Sequence, residues 1–205
     1  MNKTIKHISR IRDEFDIVVC GVNGVLTDGQ RIFPESIDVL VKLYQSGKKI
    51  ALASNTGMRV QNLFWFLKRS GVPMNIFYAV ITAGEIAHYH LKNQIKSGST
   101  YFSLDKNKQC SVDGLAFEKV DSVVLADFIL AETNKFGVET EQWNSVLEQA
   151  LSLHLPFLCV GNDTSVLTKD GVKANVGSLA EQFAIMGGKI IPFGKPDLRI
   201  ATYLT

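Results

Sequence analysis

The first 95 residues of this chain alternate between short apolar runs and amphipathic helical patterns. The apolar runs have the length of buried strands and comprise Ile17–Cys20, Lys49–Ala53 and Ala79–Thr82. A helical pattern follows each run, and these patterns begin at Pro34, Val60 and Glu85. Because consecutive strand–helix–strand units use right-handed crossover connections, the alternation predicts the α/β class with a parallel sheet.

The second half of the chain continues in the same class, with a less regular middle. Strands are predicted at Thr100–Leu104, Ser122–Leu125, Pro156–Val160 and Lys189–Phe193. Helices are predicted at Glu141–Leu153 and at Ser178–Met186, the latter with Ser178 as its N-cap. On the helix that begins at Val60, the aromatic group Phe64 to Phe66 is interpreted as core packing.

Composition excludes several function classes. With 205 residues, 46% hydrophobic and 20% charged, the chain is long enough to bury a core and is not of the disordered kind. The formal charge of +2 and the scattered basic residues predict no nucleic-acid partner. No run approaches the roughly 20 apolar residues of a membrane helix, so no membrane partner and a cytoplasmic location are expected. Of the three widely spaced cysteines, Cys20 and Cys159 lie in apolar runs and are predicted core residues.

Polar groups suited to anion binding follow three of the predicted strands. They are the turn-rich Gly21–Gly29, then Ser54-Asn55-Thr56, and finally Gly194-Lys195-Pro196. Ligands of open parallel sheets bind outside the carboxyl ends of the strands, where a helix N-terminus can also meet an anion. Each segment has a simpler interpretation, because Ser-Asn-Thr can cap the next helix and a lone lysine can be solvated. Their common order along the chain is what favours a site.

This order resembles the haloacid dehalogenase (HAD) superfamily of phosphohydrolases, specifically its class IIA, NagD-like and nitrophenylphosphatase-like members. The family's first motif has the form Asp-x-Asp-Gly-Val-Leu-x-x-Gly, and Gly21–Gly29 aligns with it. Its second motif, a Ser or Thr often followed by Asn, is matched by Ser54-Asn55. Its later Gly-Lys-Pro is matched by Gly194-Lys195-Pro196. The resemblance implies a Rossmann-like parallel sheet core with an inserted α/β cap.

The resemblance also implies a domain layout. The first part of the core would comprise residues 1–83, the cap residues 84–177, and the second part of the core residues 178–205. Asp163 would lie on a cap loop that can face the core site. A homodimer formed through the cap is a further possibility that the resemblance leaves open.

In the family, the first aspartate attacks phosphorus, the second transfers the proton, and Mg²⁺ neutralises the phosphate. Ser54, Asn55 and Lys195 would then bind phosphoryl oxygens. Here the nucleophile position is Gly21 and the acid/base position is Asn23, an amide that does not exchange a proton at neutral pH. Asp28 is interpreted as a turn residue. Since the chain ends ten residues past Lys195, the acidic metal motif of the family is expected to be missing.

The leading hypothesis is therefore a phosphatase-like protein that lacks standard phosphomonoester hydrolysis, keeps a weak phosphate pocket, and has weak or lost Mg²⁺ binding. Three alternatives stay open. They are an active HAD-type hydrolase of a small phosphorylated metabolite that uses another carboxylate, a non-enzymatic binding module, and a decaying gene product.

Overall fold

The structure is a computed structural model that describes residues 7–29, 31–104, 110–133, 136–168 and 170–202. Its strands are β1 Ile17–Cys20, β2 Lys49–Ser54, β3 Phe77–Thr82, β4 Thr100–Ser103, β5 Glu118–Val120, β6 Phe128–Glu132, β7 Phe157–Val160, β8 Ser165–Thr168, β9 Gly171–Ala174 and β10 Ile190–Phe193. Its α-helices are α1 Pro34–Gln45, α2 Val60–Arg69, α3 Ala83–Gln94, α4 Asn144–Ser152, α5 Val176–Ile185 and α6 Leu198–Thr202.

The first sheet is parallel and has the strand order β1-β2-β3. Its register pairs Val19 with Ala51 and Ala53 with Ile81. Helix α1 begins at Pro34, a residue that suits the first helical turn because its missing N–H needs no partner there. Apolar side chains of α1 and α2 pack against β2, and this core includes Leu40, Leu43, Ile50, Leu52, Leu63 and Leu67. The predicted parallel α/β arrangement is confirmed.

The second sheet is also parallel and has the order β10-β7-β6-β4-β5. Strands β6 and β7 are buried on both faces, as expected for a covered parallel sheet. Phe128 and Leu130 face a cluster that includes residues of α3, whereas Ile129 and Ala131 face a cluster with residues of α4 and α5. Helix α3 also packs against Ala53 in the first sheet, so it lies between the two sheets.

Each of the two larger sheets is formed by one continuous part of the chain. The first sheet ends with β3, next to the expected boundary at residue 83. Helix α5 and strand β10 belong to the second sheet, since β10 pairs with β7 along Ile190–Phe193. The division expected between residues 177 and 178 therefore falls within the part of the chain that forms the second sheet, which continues to Phe193.

Two local predictions are wrong. The strand expected at Ser122–Leu125 is a 3-10 helix over Val123–Leu125, and the strand begins only at Phe128. Asp127 explains the shift, because its carboxylate accepts hydrogen bonds from the backbone N–H and the hydroxyl of Thr100. The N-cap of α5 is Asn175, whose side chain accepts from Val176 N–H, and not Ser178.

Of the three aromatic residues of α2, Phe66 packs partly buried against the core as predicted, whereas Phe64 and Trp65 do not. Leu63 and Leu67 fill the buried face, while Trp65 is 61% exposed and Phe64 is exposed as well. The ammonium of Lys68 lies 5.5 Å from the centre of the Trp65 ring, a cation–π contact at the surface.

Elsewhere, β8 and β9 form an antiparallel hairpin. Cys20 and Cys159 are buried, as predicted, and burial raises the pKa of the Cys159 thiol to about 12. Within the described part of the chain, the helices are too short or too polar to cross a membrane.

Candidate functional site

The carboxyl ends of strands from both sheets meet at one place. Asn55 follows β2, Asp163 follows β7 and Lys195 follows β10. The side chain of Asn55 joins the three loops, because its Nδ2 donates to Asp163 Oδ1 at 2.8 Å and its Oδ1 accepts from Lys195 N–H at 2.7 Å. The structure thus brings together Asn55, Asp163 and Lys195. Asp163 is 108 residues and Lys195 is 140 residues from Asn55 in the chain.

Two glycines allow this close approach. Gly194 has a φ of +130°, and a Cβ there would lie only 2.8 Å from Asn55 Oδ1 and 3.0 Å from Asn162 Oδ1. Gly161 has a φ of +79°, and a Cβ there would overlap the Thr133 hydroxyl and the Asn55 carbonyl. Both positions require a residue without a side chain, so the loops can close around Asn55.

Asn55 itself is only 7% exposed, and both ends of its amide are engaged by protein groups. The geometry therefore gives Asn55 a positioning role toward Lys195 and Asp163. Lys195 and Asp163 are exposed, so both side chains are accessible to a ligand.

Gly21 lies beside Lys195. A Cβ built on Gly21 would lie 3.8 Å from Lys195 Nζ and 3.3 Å from the methyl Cγ2 of Val25. The preceding Cys20 thiol donates to the Gly21 carbonyl at 3.1 Å. Burial raises the pKa of this thiol, and the positive charge of Lys195 opposes that rise.

The turn after Gly21 is held by its own backbone. Val22 O accepts from Leu26 N–H at 2.8 Å, and Gly24 N–H donates to Thr27 O at 2.7 Å. Asp28 Oδ1 accepts from Arg31 N–H at 2.7 Å, which fits its predicted role in shaping the turn. Asn23 sits within this turn and is exposed.

Ser54 is almost fully buried, and its hydroxyl accepts from Thr56 N–H at 3.3 Å. Thr56 Oγ1 accepts in turn from Met58 N–H. The helix cap predicted for these residues is wrong, because the N-cap position of α2 is Arg59 and the Val60 N–H donates to Glu85. Two successive side-chain turns instead carry the chain from β2 to α2.

Glu132, at the end of β6, was not predicted as a site residue. It is 6% exposed, and its carboxylate accepts from Cys110 N–H, from Ser111 N–H at 2.7 Å and from the Ser111 hydroxyl at 2.5 Å. A Cβ on Gly57, in the loop after Asn55, would lie 2.9 Å from Glu132 Cβ. Burial raises the pKa of Glu132, and the hydrogen bonds from Ser111 and Cys110 oppose this rise. The one sequence signal was an acidic residue closing an apolar strand.

A second carboxylate ties the two helices nearest the site. Arg59 donates to both oxygens of Glu85 at 2.8 Å, and Glu85 also accepts from Val60 N–H at 3.0 Å. The hydrogen bond from Arg59 is the main reason that the pKa of Glu85 lies below its ordinary value. Glu85 lies in the first turn of α3, where the N-cap Thr82 Oγ1 accepts from its N–H.

The chain offers few ligands for a divalent metal at this site. Mg²⁺ takes oxygen ligands, and carboxylates above all. The two positions at which the resemblance implies carboxylates are Gly21 and Asn23, and a lysine ammonium faces the first of them. Among the described residues there is no group of three His, Cys, Asp or Glu side chains that could hold a metal. These residues do not fit a resident Mg²⁺ ion.

The strand-end site and the parallel α/β fold together define a class of protein. The family model of haloacid dehalogenase-like hydrolases matches residues 18–118. Residues 18–118 thus match the family that the motifs predicted.

Solved structures share the fold over nearly the whole chain. A haloacid dehalogenase-like hydrolase from Brucella suis 1330 is 23% identical with a TM-score of 0.85, and the match covers 97% of this chain and 76% of that one. A p-nitrophenyl phosphatase from Archaeoglobus fulgidus is 18% identical with a TM-score of 0.63, over 91% and 73% of the two chains. The TM-scores show a common fold.

A glycerol phosphate phosphatase from Mycobacterium tuberculosis, solved in complex with magnesium, is 16% identical with a TM-score of 0.65. That match covers 94% of this chain and 58% of the phosphatase, so this chain spans little more than half of that protein. None of the curated protein sequences matches this chain significantly.

Proposed function

We propose that this chain is a phosphatase-like protein that binds a small anion at Lys195 and Ser54, with Asn55 holding the loops in place, and that it does not hydrolyse phosphate monoesters. The observation that carries the proposal is the juxtaposition of Gly21 with the Lys195 ammonium, 3.8 Å from the position of a residue-21 Cβ. The cation of the site is present and the attacking group is not.

No other described residue supplies the missing chemistry at this position. A covalent route needs a nucleophile in reach of phosphorus, with a base or a lowered pKa to activate it. The nearest thiol, Cys20, donates to the Gly21 carbonyl and has a pKa raised by burial, so it stays protonated at neutral pH. Asp163 is bonded to Asn55, and Glu132 is bonded to Ser111 and Cys110.

The residues at the site also argue against a bound metal ion. When a family member binds Mg²⁺, the ion neutralises the phosphoryl group during attack. In this chain the ammonium of Lys195 is the positive charge that faces the Gly21 position, and we infer that anion binding here needs no metal. A small phosphorylated metabolite is the class of ligand that the relatives' names favour.

Two measurements on purified chain test the proposal. The first is the binding of methyl phosphate in EDTA, followed by backbone amide shifts, and the second is hydrolysis of p-nitrophenyl phosphate with Mg²⁺. We expect saturable binding that is lost in Lys195→Met, and no hydrolysis above the buffer rate. Lys42→Met is the matched control, since Lys42 is an exposed lysine on α1 and its loss changes the net charge equally. Hydrolysis that disappears in Lys195→Met but not in Lys42→Met would instead support an active hydrolase.

A further inference from the structure

The backbone at Gly21 leaves room for a small group next to Lys195. Gly21 is not among the residues with a positive φ, so its backbone conformation is one that other residues adopt. Around a Cβ built there, the atoms within 4 Å outside the adjoining chain are Val25 Cγ2 and Lys195 Nζ. Among the described residues, the space beside Gly21 is therefore bounded by one methyl group and one ammonium, and no backbone atom of these residues blocks it.

The charges around this space sum to no more than one positive charge. Lys195 forms no ion pair within the described part of the chain. The carboxylate of Asp163 is linked to the Lys195 backbone through Asn55, so a negative charge lies on the same ring of loops. Glu132 adds a second carboxyl group close to the loop after Asn55.

We propose that this site prefers a singly charged carboxylate over a phosphate dianion, and that the ligand's carboxylate occupies the space beside Gly21 against Lys195 Nζ. The inference rests on the proposed anion-binding function and names the ligand class. The ligand is a small organic acid whose carboxylate takes the place of a residue-21 side chain.

The charge balance favours this assignment. A phosphate monoester carries close to two negative charges above its second pKa of about 6. One ammonium compensates one of them, and the second would lack a compensating cation on loops that also carry the Asp163 carboxylate. A carboxylate keeps one charge at neutral pH and presents two oxygens to the three N–H donors of the lysine. It is also the smaller group, which suits a space one side chain wide.

The test titrates acetate and methyl phosphate separately into the full chain at pH 7.5 in EDTA, with amide shifts as the readout. We expect acetate to bind at least tenfold more tightly than methyl phosphate. In Gly21→Asp, a carboxylate carried by the chain itself would neutralise Lys195 and fill the space, so acetate affinity should fall at least tenfold. Asn75→Asp adds the same charge at an exposed position before β3, at the opposite end of the first sheet, and should leave the affinity unchanged.

The possible outcomes distinguish the carboxylate preference from the proposed anion-binding function. If methyl phosphate binds more tightly than acetate, the carboxylate preference is wrong and the anion site stands. If neither anion binds, both are wrong. An unchanged acetate affinity in a folded Gly21→Asp chain would also overturn the assignment of the space. Should Gly21→Asp fail to fold, Lys195→Met decides, since acetate binding that persists in it contradicts the inference.

Discussion

At the scale of single residues, the absence of a side chain has two different meanings in this chain. Gly84 is closed in by backbone, because a Cβ there would overlap the Gly57 carbonyl and lie 2.6 Å from Met58 O. Gly21 meets only side-chain atoms, at 3.3 and 3.8 Å. The first glycine is required by packing, and the second is not. Packing therefore does not require a glycine at position 21, which agrees with the proposed loss of the attacking group.

Alanine substitutions test this contrast. Gly84→Ala should lower the free energy of unfolding by about 3 kcal/mol, because backbone around α3 must move to admit the methyl group. Gly21→Ala should change it by less than about 1 kcal/mol, since the Val25 side chain can shift by a few tenths of an ångström. Urea unfolding of both variants measures the difference. Equal losses of stability would contradict the assignment of Gly21 as a tolerant position.

Glu132 shows which part of a site a sequence does not reveal. The strand ends that carry Ser54 and Lys195 could be predicted, because apolar runs followed by polar turns are local patterns. The partners of Glu132 are Ser111 and Cys110, more than 20 residues away, and nothing local pairs them. The hydrogen-bond donors that stabilise a buried carboxylate can thus come from distant parts of the chain, which local sequence patterns do not indicate.

Glu132 also predicts a pH dependence. Since its folded-state pKa is raised above 4.5, the folded chain binds this proton more tightly than the unfolded chain. The stability contributed by Glu132 is then complete below pH 4.5 and is lost as pH rises through the folded-state pKa. Glu132→Gln should destabilise the chain by about 1–3 kcal/mol. The reason is that the NH2 group of glutamine would face N–H donors whose hydrogen bonds the carboxylate accepts. The substitution should also remove this component of the pH profile of unfolding, and an identical profile in the variant would contradict the account.

At the scale of elements, α2 and α3 are joined end to end by the pair of Arg59 and Glu85. The pair links the loop after Asn55 to the helix that lies between the two sheets. Sequence patterns placed both helices correctly to within two residues at their starts. They missed the joining contact and also displaced β6, because Asp127 bonds Thr100 across the sheet and no periodicity encodes that bond.

Glu85→Gln tests the link between the helices. Its pKa is lowered chiefly by the hydrogen bond from Arg59, so its contribution to stability is present above pH 4.5 and is lost as pH falls. The variant should lose about 1 kcal/mol at neutral pH, a modest value because both side chains are partly exposed. The difference from wild type should shrink as pH falls below 4.5, the opposite direction from Glu132. A difference that grows on acidification would rule out this role for the pair.

At the scale of the whole molecule, two parallel sheets present the carboxyl ends of their strands to one set of loops. The α/β class and the family could be predicted, because strand–helix alternation and three short motifs are properties of the sequence itself. The extent of the second sheet could not be predicted. Strand β10 belongs to it because it pairs with β7, and short sequence motifs do not indicate which strands pair. The meeting of the sheets around Asn55 explains how motifs far apart form one site.

The central claim is that this site keeps its cation without the attacking group. Single-turnover release of nitrophenolate, with the chain in excess over p-nitrophenyl phosphate and Mg²⁺ present, tests it most directly. The account predicts release at the buffer rate, equal in wild type and Lys195→Met. A burst that approaches one equivalent of nitrophenolate per substrate in wild type, and that is absent in Lys195→Met, would contradict it.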